Sequence, residues 1–205
     1  MLREMFDSLL ARTSATEVTR TEVRGIPVVV TNTRDDIKTV DVLARLDRCL
    51  ALMDRYVPHH FRHFKRDIAG IAVERFACRG AYFHERRICL VELTFTVNET
   101  FSDAEVAATI LHEAMHARLH ALGFPLDMED RARQERFCRR AEMEFGQLAP
   151  DGHQVVLRAQ RAIELSDADV APIVDPIEAA RKTAEFDREL VRKRDQQNAQ
   201  SSSNL

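Results

Sequence analysis

The stretch Ser102-Asp-Ala-Glu-Val-Ala-Ala-Thr-Ile-Leu-His112-Glu-Ala-Met-His116-Ala-Arg-Leu-His-Ala-Leu122 carries both the clearest local structure and the clearest chemistry in the chain. It opens as a capping box: Ser102 can accept from the backbone N–H of Glu105, whose carboxylate can reach back to the N–H of Ser102. Val106, Ala107, Ile110 and Leu111 then begin an apolar face, so a helix starting at Asp103 and running to about Leu122 is expected. Gly123 and Pro125 supply a left-handed cap and a residue that cannot continue the helix. Residues four apart on a helix lie nearly above one another, so the imidazoles of His112 and His116 can converge on one ion from successive turns. Glu113 sits about 100° around the axis from His112. That places its carboxylate beside such an ion rather than on it, where a general base is needed.

The chemistry asks for these residue types. Zn²⁺ lowers the pKa of bound water toward neutrality and polarises a carbonyl, and a neighbouring carboxylate takes the proton. A catalytic site of this kind has three protein ligands and one open position. The third ligand is sought downstream of the Gly123 turn, on a helix spanning roughly 129–147 and folded back antiparallel. Glu135 is the best candidate, nineteen residues after His116, and Glu142 on the same helix face is the reserve. The ordinary reading of Glu135 is a surface pair with Arg139, and that of the motif is a helix with two unremarkable histidines. Against the latter, Ile110, Leu111, Met115, Leu119 and Leu122 would bury the helix, and buried neutral imidazoles need partners. His120 shares the face, but four residues further on it lies about 6 Å along the axis, too far for the same ion though within reach of substrate.

Outward from this helix, Val23–Val30 is rich in β-branched residues and reads as a strand that Pro27 pushes toward a sheet edge. Asp35 or Asp36 can cap a following helix whose stripe of Ile37, Val40, Ala44, Leu50, Met53 and Val57 ends at Pro58. His59-His-Phe-Arg-His-Phe64 has no ligand spacing and reads as a loop. Ile68–Ala77 and Ile88–Val97 read as strands, with 81–84 a short extended piece between them, which makes a small antiparallel sheet. Helices are expected over 153–165 and 175–194, and the Gln/Asn/Ser-rich end, 196–205, is expected to be disordered.

At His112, Glu113, His116 and Glu135 the chain resembles the gluzincin-type zinc metallopeptidases, of which thermolysin is the familiar member, over roughly Ile88 to Gly146. The resemblance implies a zincin-like α+β domain over 1–150, with a backing helix, a small mostly antiparallel sheet, the motif helix and an antiparallel partner. A helical extension over 151–195 would pack on it. It implies Zn²⁺ held by His112, His116 and Glu135, Glu113 as base, hydrolysis of a peptide or other amide bond, and a strand such as Ile88–Leu93 along the cleft. Thermolysin-like enzymes place an aspartate four residues after the third ligand to orient a histidine, and this chain has Arg139 there, so the outer shell departs from that pattern. The metzincin pattern needs Gly and His where Leu119 and Leu122 stand, and the ligand segment of peptide deformylase has no match around Cys89.

The whole chain is consistent with one core and a tail: 205 residues, 45% hydrophobic and 31% charged. Thirty basic and thirty-three acidic residues give a net charge of -3, without the basic field that drives nucleic-acid binding, so no nucleic-acid partner is expected. Cys49, Cys78, Cys89 and Cys138 form no Cys-x-x-Cys pair and read as buried free thiols. The acidic opening 1–7 lacks the apolar core of a secretory peptide and no run approaches a membrane span, so a cytoplasmic protein without a membrane partner is expected. Two rivals stand beside the hydrolase: a zinc-stabilised binding protein or degenerate peptidase whose fourth position is closed, and a metal-free interaction protein working through 175–194. Substrate specificity and oligomeric state are not written in the sequence.

Overall fold

The structure, a computed structural model, describes residues 17–125, 130–171, 178, 181–189, 192–193 and 196. The opening 1–7 and the end 197–205, with the expected absence of a leader and the expected disorder, lie outside the described residues.

The chain is α+β. Strands β1 (Glu17–Val23) and β2 (Ile26–Asn32) form an antiparallel hairpin. Its turn residues Arg24 and Gly25 both have positive φ, 50° and 76°, the conformation that two-residue hairpins favour because it matches the strand twist. Val23–Val30 is therefore a strand end, a turn and a second strand rather than one strand. Polar β1, with only Val23 buried, carries no alternation that would announce it. β2 is not an edge: Pro27 faces Glu22 of β1, and its pairing with the next strand begins one residue later, at Val28, so the missing N–H costs no ladder bond.

Helix α1 (Thr39–Tyr56) follows, begun at Lys38 without a side-chain cap rather than at Asp35 or Asp36. Pro58 ends it and at the same time opens α2 (Pro58–Asp67). The histidine-rich segment expected as a loop is thus helical: proline at the first helical position gives up only an N–H that would be orphaned anyway, and Phe61 and Phe64 supply a buried face.

The sheet continues with β3 (Gly70–Glu74), β4 (Gly80–Phe83) and β5 (Ile88–Glu92) in the spatial order β1-β2-β3-β5-β4. β2 pairs parallel with β3 and β3 parallel with β5, while β4 returns antiparallel to β5. The sheet is therefore mixed, not mostly antiparallel. The reason is the α1–α2 crossover, which brings the chain back to the same end before β3 begins. The strand expected over Ile88–Val97 stops at Glu92, whose carboxylate accepts from the N–H of Phe95 (2.6 Å) and starts the short helix α3 (Leu93–Val97).

Helix α4 spans Asp103–Ala121, with the Ser102–Glu105 capping box formed in both directions. Gly123, at φ 75°, ends it by donating to the carbonyl of His120, and Phe124 donates to that of Leu119. Eleven of its residues are buried, because α1, α2, β4, β5 and α5 (Arg131–Leu148) all pack on it. Val28, Val30, Ile71, Val73, Cys89 and Val91 of the sheet meet Leu46, Leu50, Met53, Phe64, Ile110, Leu111 and Phe145 of the helices in one core. Ion pairs fix both ends of α4: Arg45 (2.5 Å) and Arg48 (2.8 Å) of α1 hold Asp103, and Arg118 lies 3.5 Å from Asp67 of α2. Helices α6 (His153–Ile163) and α7 (Asp167–Val170) follow α5. Residues 181–189 are helical too, and Asp187 pairs with Arg75 at 2.6 Å, tying this segment to the end of β3. Cys49, Cys89 and Cys138 are buried free thiols, whereas Cys78 is exposed in the loop before β4. No helix among the described residues is long and apolar enough to cross a membrane.

Candidate metal centre

The antiparallel packing of α4 and α5 assembles the site. His112 and His116, one turn apart on α4, turn their Nε2 atoms toward each other at 3.2 Å. Glu135, in the second turn of α5, faces both rings: Oε2 lies 3.2 Å from His112 Nε2 and Oε1 lies 3.4 Å from His116 Nε2. Bonds of about 2.0–2.1 Å to a tetrahedral ion place ligand atoms about 3.3 Å apart. The nitrogen–nitrogen separation sits at that edge length, and each oxygen of Glu135 sits that far from one of the rings, so two imidazole nitrogens and one carboxylate could hold a single ion. The donor set, borderline nitrogen with one oxygen, suits zinc better than magnesium or calcium.

Glu142, the reserve ligand, has a different place. Seven residues after Glu135 it lies behind His112, where the ring Nδ1 donates to its Oε1 at 2.7 Å, and Arg139 donates to the same oxygen at 2.7 Å. The arrangement is a carboxylate–histidine pair: once the ring has lost its second proton, it would keep the remaining one on Nδ1 and leave the Nε2 lone pair free for an ion. Arg139, which might have paired with Glu135, is spent on Glu142 instead. Glu142, seven residues after Glu135, thus stands where an orienting carboxylate would be expected, the place that Arg139 leaves unfilled in the thermolysin-like spacing. Glu142 is 1% exposed, and its Oε2 has no hydrogen-bond partner among the described residues. Replacing it with Gln is expected to weaken zinc binding about 10–100-fold, measured by competition with a chelating dye. Unchanged affinity would mean that the pair does not position the ring.

Burial disfavours a charge on His112, but the Glu135 and Glu142 carboxylates outweigh it and raise its pKa to about 10. Burial likewise opposes ionisation of Glu135 and Glu142, and here the histidines win, holding both carboxylates below their usual range. Glu113 differs. It is 6% exposed, burial pushes its pKa above the ordinary carboxylate value, and His112 and His116 pull it back only in part. No ion pair to Glu113 is found among the described residues. It lies against β4, where a Cβ on Gly80 would come within 2.9 Å of Glu113 Oε1 and of Thr109 Cγ2. Gly80 lets the backbone approach the carboxylate. β4 ends the sheet, so the strand nearest Glu113 at the edge is β4, and Ile88–Leu93, expected along the cleft, includes the penultimate strand β5.

One further feature escaped the sequence reading. Cys138, three residues after Glu135 and fully buried, places Sγ within 4.8 Å of ring nitrogens of His112 and His116. Its i,i+3 relation to Glu135 is the signal that could have drawn attention to it. Tyr82 of β4 and His120 of α4 pair through Oη and Nδ1 at 3.1 Å, and the His84 ring lies 5.7 Å from that of His120. His120 thus stands beside both Tyr82 and His84.

Compared with protein-family models, with curated proteins and with solved structures, the chain matches none.

Proposed function

We propose that this chain is a zinc-dependent hydrolase acting on peptide bonds, with a zincin-like domain in which His112, His116 and Glu135 hold one Zn²⁺ and Glu113 is the general base. The observation that carries the reading is the meeting of two imidazole Nε2 atoms 3.2 Å apart with one carboxylate whose two oxygens lie 3.2 Å from His112 and 3.4 Å from His116, and a second buried carboxylate beside them. A bound Zn²⁺ would lower the pKa of water and polarise the scissile carbonyl. The chain's own part is to hold and move a proton. Glu113, whose pKa burial raises above the ordinary carboxylate value, takes a proton from the attacking water and returns it to the departing amine. The low-dielectric surroundings make each of these charge movements weigh more than in water. β4, last in the sheet and against Glu113, offers an edge along which an extended peptide can pair, and this favours a peptide over a compact amide.

Chelation should abolish hydrolysis of an extended peptide and Zn²⁺ alone should restore it. Hydrolysis indifferent to a chelator would refute the reading. Zinc uptake should also depend steeply on pH. His112 must lose the proton that a pKa of about 10 holds in the metal-free protein. Affinity should therefore fall as pH falls, by about tenfold per unit from this ring alone, with a proton released on binding. Calorimetry in buffers of different ionisation enthalpy measures that proton.

Cys138 favours a second reading, a closed zinc site that is structural and not catalytic. Against it, burial pushes this thiol well above its ordinary pKa, Glu135, Glu113 and Glu142 push it the same way and only Arg139 opposes them, so the metal-free chain holds it as a protonated thiol.

A further inference from the structure

A second group of potential ligands lies on the other side of α5. Glu144 is two residues beyond Glu142, about 200° around the helix axis. Accordingly it looks outward and is 47% exposed, toward the first turn of α2. There His59 Nε2 lies 3.5 Å from Glu144 Oε1 and His60 Nε2 lies 3.4 Å from Glu144 Oε2. Consecutive helical residues ordinarily diverge by about 100°. These two converge, with ring centroids 4.1 Å apart and each ring addressing a different oxygen of one carboxylate. One ligand atom from each residue can be chosen so that all lie within 4.8 Å of one another.

We propose that His59, His60 and Glu144 form a second Zn²⁺ site, separate from the buried one and open to solvent. Two imidazoles and a carboxylate are a donor set for borderline first-row ions and not for magnesium or calcium, which take oxygen ligands. Each imidazole nitrogen lies within a few tenths of an ångström of the tetrahedral edge of about 3.3 Å from its own oxygen of Glu144, and inward movement of the exposed His59 would bring the ligand atoms, now within 4.8 Å of one another, onto one ion. With three protein ligands, the remaining positions are left to water. His60 is 14% exposed and anchored, whereas His59 is 46% exposed, so the site is less organised than the buried centre and binds more weakly. Its consequence is mechanical. An ion here clamps α2 to α5, the helix that carries Glu135 and Glu142.

The test is zinc titration of the full chain by calorimetry, read as the number of equivalents and followed by thermal denaturation. Wild type should take up a second, weaker equivalent. His60→Ala and Glu144→Gln should each weaken that equivalent by at least about tenfold and leave the tighter one unchanged. His63→Ala, one turn from His59 and outside the trio, should alter neither. In His116→Ala, which lacks a ligand of the buried centre, zinc should still raise the melting temperature, and adding His60→Ala should remove that rise. The proposal is overturned if wild type binds one equivalent only in excess zinc. It is overturned equally if a second equivalent persists unchanged in His60→Ala and Glu144→Gln.

Discussion

Glu113→Gln is expected to reduce peptide hydrolysis by about a thousandfold while leaving the zinc in place. A positioned general base contributes 10²–10⁴-fold, and an amide of the same shape cannot accept the proton. The ligand triangle of His112, His116 and Glu135 does not include Glu113, so its geometry survives. The stability effect should run the other way. Burial raises the pKa of Glu113 in the folded state above its ordinary value. Such a group destabilises the fold increasingly as pH rises through the unfolded value and toward the folded one. Neutral Gln removes that penalty, so the metal-free variant should melt no lower than wild type at neutral pH. Turnover at saturating peptide, with metal content measured on the same sample, decides the matter. A variant that keeps activity within tenfold of wild type would remove Glu113 from the proton path.

His116→Ala is expected to lose zinc almost completely. It deletes one corner of the triangle, and the remaining pair, His112 and Glu135, would need two further ligands from water. The loss of affinity should exceed the 10–100-fold typical of disturbing an outer-shell partner. The fold should survive. His112 keeps both carboxylates, Glu135 at 3.2 Å and Glu142 at 2.7 Å, so the contact between α4 and α5 does not depend on the second ring. Metal analysis after dialysis, with circular dichroism to confirm folding, reads both halves. Full zinc occupancy in this variant would mean that the ion is held elsewhere.

The parts of the fold legible in the sequence are those written in local chemistry. The Ser102–Glu105 box, the apolar face and the Gly123 terminator delimit α4 at Asp103–Ala121, and the His112–His116 spacing follows from helical geometry. Glu135 was reachable because the few residues between Ala121 and Arg131 leave few positions on the second helix that can face the histidines. What the sequence withheld depends on contacts between distant segments. Parallel pairing of β2 with β3 and of β3 with β5 leaves no local mark to separate it from an antiparallel meander. Glu135 and Glu142 share a helix face, so only the interhelical register decides that one meets Nε2 and the other Nδ1 of His112. In α2 the histidines hid a helix whose buried face is made by Phe61 and Phe64. At Glu92 a β-branched and apolar run looked continuous, yet the carboxylate caps a new helix there.

X-ray absorption on the protein loaded with one equivalent of Zn²⁺ reads whether the ion has three nitrogen or oxygen ligands from the chain and a place left for water. The expected spectrum has a first shell of nitrogen and oxygen at about 2.0–2.1 Å, with histidine scattering beyond it and no sulfur. A sulfur contribution at about 2.3 Å would place Cys138 on the ion and close the site. Such a spectrum would contradict the hydrolytic reading.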